Sequence, residues 1–262
     1  MSVATDSMIH PAACVSPGAD VAPDATIGPG AIIEDDVVIG PGCRIDSYAK
    51  IASGARLGAN VRVAHGAAVG TEPQDLKFAG EKSELIVGDN TIIREYATLN
   101  RGTVERGETV VGARCLLMAY SHVAHDCLLG DHVILANGVQ LAGHVEIGDC
   151  AILGGLVPVH QFVKIGKHVM VGGGFRVTQD ICPFALTAGL PLKVTGLNKI
   201  GLSRRSFPPD EIATLQSAFK LLFFSRLNTT QAVERIKSEV ELILSVRELL
   251  HFIESSTRGL IK

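Results

Sequence analysis

Histidines gather in one stretch of this chain. His122, His125, His144 and His160 lie close together, and Asp126 directly follows His125. An imidazole titrates near neutrality and can take a proton from a hydroxyl or an amine. A carboxylate beside it can hold its tautomer and stabilise its cation. Adjacency alone leaves open whether Asp126 faces His125. Zinc is the rival use of clustered histidines, and it needs three or four ligands converging at roughly 2 Å. His122 and His125, three apart on an extended strand, are expected to point to opposite faces, so no metal is expected. The six cysteines contain no CxxC pair, and Cys127, near His125, is expected to be an inert thiol. No phosphate-loop sequence ending in GK[ST] occurs, and no Ser/His/Asp or Cys/His arrangement is legible.

A repeat positions these residues. Taking every sixth residue from Ile9 to Val177, 26 of 29 positions are Ile, Val or Leu, with Asp75, Glu81 and Glu105 the exceptions. A period of six fits neither a helix nor simple alternation. It fits short strands that turn a corner every six residues, the mark of a parallel β-helix. Three strands make a triangular coil of eighteen residues, with the aliphatic side chains stacked inside. A sandwich of short strands would not hold so strict a phase. Residues 18 apart then stack in adjacent coils, roughly 4.8 Å apart. His125, Gly143 and Gln161 thereby form one outward column, with His144 and His160 beside it. Gly143 can offer an unobstructed backbone N–H to an oxyanion.

Two stretches interrupt the coil, 70–86 and 101–110, and loops that leave a rigid scaffold often carry function. The first spans three hexads, one coil's worth. Beyond Val177 the period fails, and residues 178–203 read as irregular. Helical spacing follows from Ser206, a candidate cap, through Ile212, Leu215, Phe219 and Leu222. Further helices are expected near 229–243, capped by Thr229 or Thr230, and near 245–255. The expected domains are a β-helix over 1–190 and a helical domain over 191–262. The core is Ile, Val and Leu, since the chain is 47% hydrophobic but has no Trp. Residues 196–262 carry 10 Lys+Arg against 7 Asp+Glu. That is too weak for nucleic acid but suits an acidic protein partner. The first ten residues show no leader peptide, no stretch is long enough to span a membrane, and the cysteines read as reduced, so a cytoplasmic setting is expected.

Several segments carry a resemblance. They are QDLKFAGE (74–81), AHDC (124–127), LAGHVEIGD (141–149), VHQF (159–162), HVMVGG (168–173), GLSRRSF (201–207) and STRGLIK (256–262). Together they resemble the bacterial UDP-N-acetylglucosamine O-acyltransferases, which perform the first step of lipid A assembly. The resemblance spans essentially the whole chain. It implies an all-β plus α fold, a left-handed parallel β-helix of hexapeptide repeats with a C-terminal helical domain. It also implies a homotrimer with active sites between subunits and no cofactor, the 3-hydroxyacyl group arriving on the phosphopantetheine of acyl carrier protein. On this resemblance His125 is the general base, Asp126 orients it, and the Gly143 amide is the oxyanion donor. Asp75 and Lys77 match residues that hold the sugar nucleotide, and His122, His144, His160 and Gln161 match others lining the cleft. Asn198, Arg204 and Arg205 match positions near the uridine diphosphate. Gly173, with Met170, matches the position that limits acyl length, and glycine there implies a longer chain. Asn100 stands where the family commonly has His, and Ile200 where a Glu often contacts the nucleotide. Whether the acceptor is a hydroxyl or an amine stays open. The alternatives are a related N-acyltransferase, a coenzyme A acetyltransferase and a non-catalytic scaffold. The first carries an extra N-terminal domain, and an ice-binding scaffold would show ranks of Thr.

Overall fold

The computed structural model describes residues 8–262. The first residues of the expected β-helix domain, and most of the segment read for a leader, lie outside the described residues. From Cys14 the chain winds as a left-handed parallel β-helix. Eight strands, Cys14–Val15 to Pro158–Val159, stack as a first face, and eight more, Asp20–Val21 to Lys164–Ile165, as a second. The third face begins at Thr26–Ile27 and runs past Met170–Val171. Most strands are two residues long, one side chain out and the next in. Ile32 is 45% exposed while Ile33 is 1% exposed. Each inward aliphatic contributes roughly 1.5–3 kcal/mol by burial.

The excursions are shorter than expected, because Glu84–Val87 and Glu108–Val111 pair as strands at their far ends. They also shift the chain between faces. Val69 stacks on Ile51 and Leu99, while Val87 stacks on Leu57 and Val111. The first excursion therefore does not replace one coil; it returns the chain one face onward. Together the two restore the eighteen-residue phase, so Val123 lies on the same face as Val69.

The expected boundary at residue 191 falls inside a β-hairpin. Ala185–Ala188 extends the third face parallel to Met170–Val171, and Lys193–Leu197 pairs antiparallel with it. Its buried positions, Ala185, Thr187, Val194 and Leu197, close the top of the prism. A short helix α1, Lys199–Arg204, follows where irregular chain was expected; Asn198 caps it by accepting from Gly201 N at 3.1 Å. Helix α2, Pro209–Phe223, has Pro in its first turn and no side-chain cap; Ser206 is in the left-handed region at φ 61 and does not serve. Helix α3, Thr229–Glu239, is capped by Asn228, which forms a reciprocal box with Gln231, rather than by Thr229 or Thr230. It ends at Glu239 because Val240 is extended. Helix α4 spans Leu244–Ser255.

His168 joins the prism to this helical end. Its ring lies 5.8 Å from that of Phe184 and 5.0 Å from that of Phe207. Burial, aided by Arg205 and Lys167, holds its pKa down to about 4. The unfolded ring titrates near ~6.5. Between those values the unfolded chain binds the proton and the native one does not, so stability falls as pH drops from ~6.5 toward 4. His168→Gln should flatten that part of the melting-temperature profile. An unchanged slope would assign the acid sensitivity elsewhere.

Candidate active site

Corners 124–127, 142–145 and 160–163 stack along the edge between the first and second faces. Both excursions leave from this edge, in the coils below. His125 occupies the first of these corners and is half-buried. Its Nδ1 lies 2.7 Å from Asp126 Oδ2. Asp126 is 0% exposed and sits at φ 59, in the left-handed region. The second excursion grips it from the other side. Thr103 N donates to Oδ1 at 2.9 Å, the Thr103 hydroxyl donates to Oδ2 at 2.7 Å, and Asp126 N donates to the Thr109 hydroxyl at 2.8 Å. Burial by itself raises the Asp126 pKa, but hydrogen bonds from His125 and Thr103 outweigh it and hold the carboxyl below its ordinary value. An ionised Asp126 only accepts, so His125 carries its proton on Nδ1 and leaves Nε2 as the basic nitrogen. Sequence reasoning missed Thr103 and Thr109, and the one available signal was their place at the two ends of an excursion.

Gly143 is buried one coil above, and its N–H has no hydrogen-bond partner among the described residues. The edge between the second and third faces treats the same corner position differently. There Asp131 accepts from the amide of Ala113 at 2.8 Å, and Asp149 from that of Asp131 at 2.8 Å. A Cβ on Gly143 would lie 2.6 Å from His125 Cε1 and 2.7 Å from Nε2. Glycine therefore gives the imidazole its place and leaves a bare amide beside it.

The other histidines line the same edge. His144 meets His125 edge-on at 5.1 Å and stacks flat on Phe162 at 4.4 Å. Its Nε2 is 3.5 Å from Glu105 Oε2 and 3.7 Å from Asp126 Oδ2. His122 Nδ1 lies 2.8 Å from the Thr98 hydroxyl. Burial lowers the His122 pKa, and His125 nearby lowers it further. His122 and His125 thus share a side, contrary to the expectation of opposite faces, because His125 stands on a corner and not on the strand. Donor atoms of His125, Asp126 and His144 lie within 4.8 Å of one another. His125 Nδ1 and Asp126 Oδ2 are hydrogen-bonded to each other. His160 Nδ1 is 3.1 Å from the Gln161 carbonyl oxygen and 3.3 Å from Arg258 Nη2, and the Gln161 side chain is exposed. Burial pushes the Cys127 thiol up to about 12, which leaves it unreactive.

Other expected site residues stand apart within one chain. Asp75 and Lys77 share a tight turn in the first excursion, where Lys77 N donates to Asp75 Oδ1 at 3.0 Å. Asn100 is a buried root for that excursion, donating to the Thr71 hydroxyl at 2.9 Å and the Glu72 carbonyl at 2.8 Å. Asn198 caps α1 and donates to the His168 carbonyl at 2.9 Å, on the edge between the second and third faces. Arg204 and Arg205 end α1 and are exposed, and Ile200 is 68% exposed. Met170 lies on the third face, and Gly173 on the corner beyond it.

A left-handed coil of hexads with an imidazole, a buried carboxylate and a free corner amide on one edge defines a hexapeptide-repeat acyltransferase. The bacterial transferase hexapeptide profile matches residues 36–71 and 108–143, and the profile for UDP-N-acetylglucosamine O-acyltransferase, domain 2, matches 180–261. The acyl-[acyl-carrier-protein]–UDP-N-acetylglucosamine O-acyltransferase of Burkholderia mallei is 42% identical over 195 residues, covering 72% of this chain and 74% of the relative. The chain belongs to the UDP-N-acetylglucosamine O-acyltransferase family. Solved structures agree. LpxA from Acinetobacter baumannii superposes with a TM-score of 0.94 at 39% identity, covering 97% of this chain and 100% of the other. The Arabidopsis UDP-N-acetylglucosamine acyltransferase gives 0.84 at 32% identity, with coverage of 97% and 100%.

Proposed function

We propose that this chain transfers a 3-hydroxyacyl group from acyl carrier protein to the 3-hydroxyl of UDP-N-acetylglucosamine, the first step of lipid A biosynthesis, with His125 as general base. His125 Nε2 takes the proton from the sugar hydroxyl as its oxygen attacks the thioester carbonyl carbon. The Gly143 N–H stabilises the oxyanion of the tetrahedral intermediate, and such a donor is worth roughly 3–4 kcal/mol. Collapse breaks the C–S bond, and the imidazolium returns its proton to the departing thiolate. Asp126 stabilises the imidazolium throughout. The observation that carries this reading is the 2.7 Å His125–Asp126 pair beside an uncapped Gly143 amide. No bound cofactor is needed, since the acyl group arrives on the carrier's phosphopantetheine.

The reading includes a homotrimer. Met170, Gly173, Asn198, Arg204 and Arg205 lie off the His125 edge. They can serve the same substrate only if a second copy presents them across a subunit seam. Asp75 and Lys77 then hold the sugar nucleotide, and His122, His144, His160 and Gln161 line its cleft. Among the described residues, no helix is long and apolar enough to cross a membrane. All six cysteines are free, which fits a reducing, cytoplasmic setting.

Gly173 supports a long acyl chain. A Cβ there would meet the Gly155 carbonyl oxygen at 3.1 Å and its amide nitrogen at 3.3 Å, so a larger side chain would crowd the adjoining corner. Gly173→Met should shift preference toward shorter chains; an unchanged preference would remove Gly173 from the ruler. The reaction itself is tested by offering several 3-hydroxyacyl carrier proteins and UDP-N-acetylglucosamine and weighing the product. A product heavier by one 3-hydroxyacyl group is expected. Acylation only from acetyl-coenzyme A, or no acylation, would overturn the proposal.

A further inference from the structure

The C-terminal tail returns to the active-site edge. Asp180, 0% exposed, accepts from the Ser256 hydroxyl at 2.7 Å and from Lys164 N at 2.8 Å. Its backbone pairs with the tail as well, donating to Gly259 O at 2.9 Å and accepting from Ile261 N at 2.9 Å. Ile261 is 4% exposed and locks the segment down. This stitching brings Arg258 to His160, two coils above His125 on the same edge, with Arg258 Nη2 3.3 Å from His160 Nδ1. The pair spans 98 residues of sequence. Among the described residues Arg258 forms no ion pair, and its buried Nε has no partner.

A guanidinium can only donate. A hydrogen bond from Arg258 needs His160 Nδ1 as its acceptor, which would confine the proton of the neutral ring to Nε2. The Gln161 carbonyl beside Nδ1 would favour the opposite tautomer, with Nδ1–H donating to it at 3.1 Å. The two contacts on Nδ1 therefore favour opposite tautomers. We propose that Arg258 is a positioning residue of the acyl-transfer site: it fixes His160 as the Nε2–H tautomer, so that the ring presents a hydrogen-bond donor to an oxygen of the bound substrate. The proposal rests on the acyltransferase reading for its consequence in turnover, but not for the tautomer.

Two measurements test it. Nitrogen-15 NMR of histidine-labelled protein, with His160 assigned through His160→Gln, should show Nδ1 unprotonated in the wild type. In Arg258→Met the ring should move toward Nδ1–H, and Arg258→Lys should retain the wild-type form. In the transfer assay Arg258→Met should lose about ten-fold in kcat/KM, the scale of one misdirected hydrogen bond. Arg258→Lys should recover most of that loss, with melting temperatures of both variants near wild type. An unchanged His160 tautomer in Arg258→Met would overturn the proposal, as would wild-type kcat/KM in that variant. A changed tautomer in a protein whose His125→Ala variant kept full activity would sink the catalytic reading and leave the Arg258 assignment standing.

Discussion

His125→Ala should lower kcat by roughly 10²–10⁴-fold, the range lost when a positioned general base is removed. The loss should appear equally in kcat and kcat/KM, because the imidazole acts on a proton that moves only as the sugar oxygen attacks. Stability should hardly change. His125 is a corner residue outside the aliphatic stack, and its removal leaves the Asp126 carboxylate still bonded to Thr103 through both oxygens. That separation of effects is the useful feature. A variant that melts normally yet fails to turn over places the deficit in chemistry. Full transfer by a well-folded His125→Ala would remove His125 as the general base.

Gly143→Ala is the second large effect. One added methyl would stand 2.6 Å from His125 Cε1 and 2.7 Å from Nε2. Contacts that short force the ring to swing aside or the corner to shift. Either response misplaces the base against the neighbouring amide, and a displacement of about 1 Å costs on the order of 100-fold in rate. The backbone at Gly143 is not in the left-handed region, so alanine there carries no conformational penalty of its own. Gly155→Ala is the matched control. Its Cβ would meet only the Asn137 carbonyl oxygen at 3.4 Å, on a different edge. Steady-state kinetics of the two variants should therefore diverge by about two orders of magnitude. Equal, near-wild-type rates would mean that the crowding at Gly143 has no part in catalysis.

The prism was legible because its determinant is local and repeated. Each hexad places one aliphatic residue inward, and period alone reveals it. The stacking of Gly143 over His125 followed from the same arithmetic, since both lie above the excursions. Below them that arithmetic misleads: Val69 and Val87 keep phase but sit on different faces, because an insertion of whole hexads can return the chain on another wall. The His122 orientation was misjudged for a related reason. Strand alternation does not apply at a corner, where left-handed backbone at Asp126 and His144 turns side chains back to one side. The hold of Thr103 and Thr109 on Asp126, and of Arg258 on His160, could not be read at all. They are contacts across 23, 17 and 98 residues between irregular segments and the coil, and no period encodes them. Asn228 caps α3 in place of Thr229 because good capping residues stand side by side there, whereas α2 starts after Pro208 with no side-chain cap at all.

The most direct measurement is a crystal structure of the protein with UDP-N-acetylglucosamine bound. The sugar 3-oxygen should lie about 3 Å from His125 Nε2, within hydrogen-bond reach of the base. The Gly143 N–H should stay free beside it, with α1 of a second copy closing on the nucleotide. A sugar seated on another edge, or one whose 3-oxygen faces away from His125, would contradict the account.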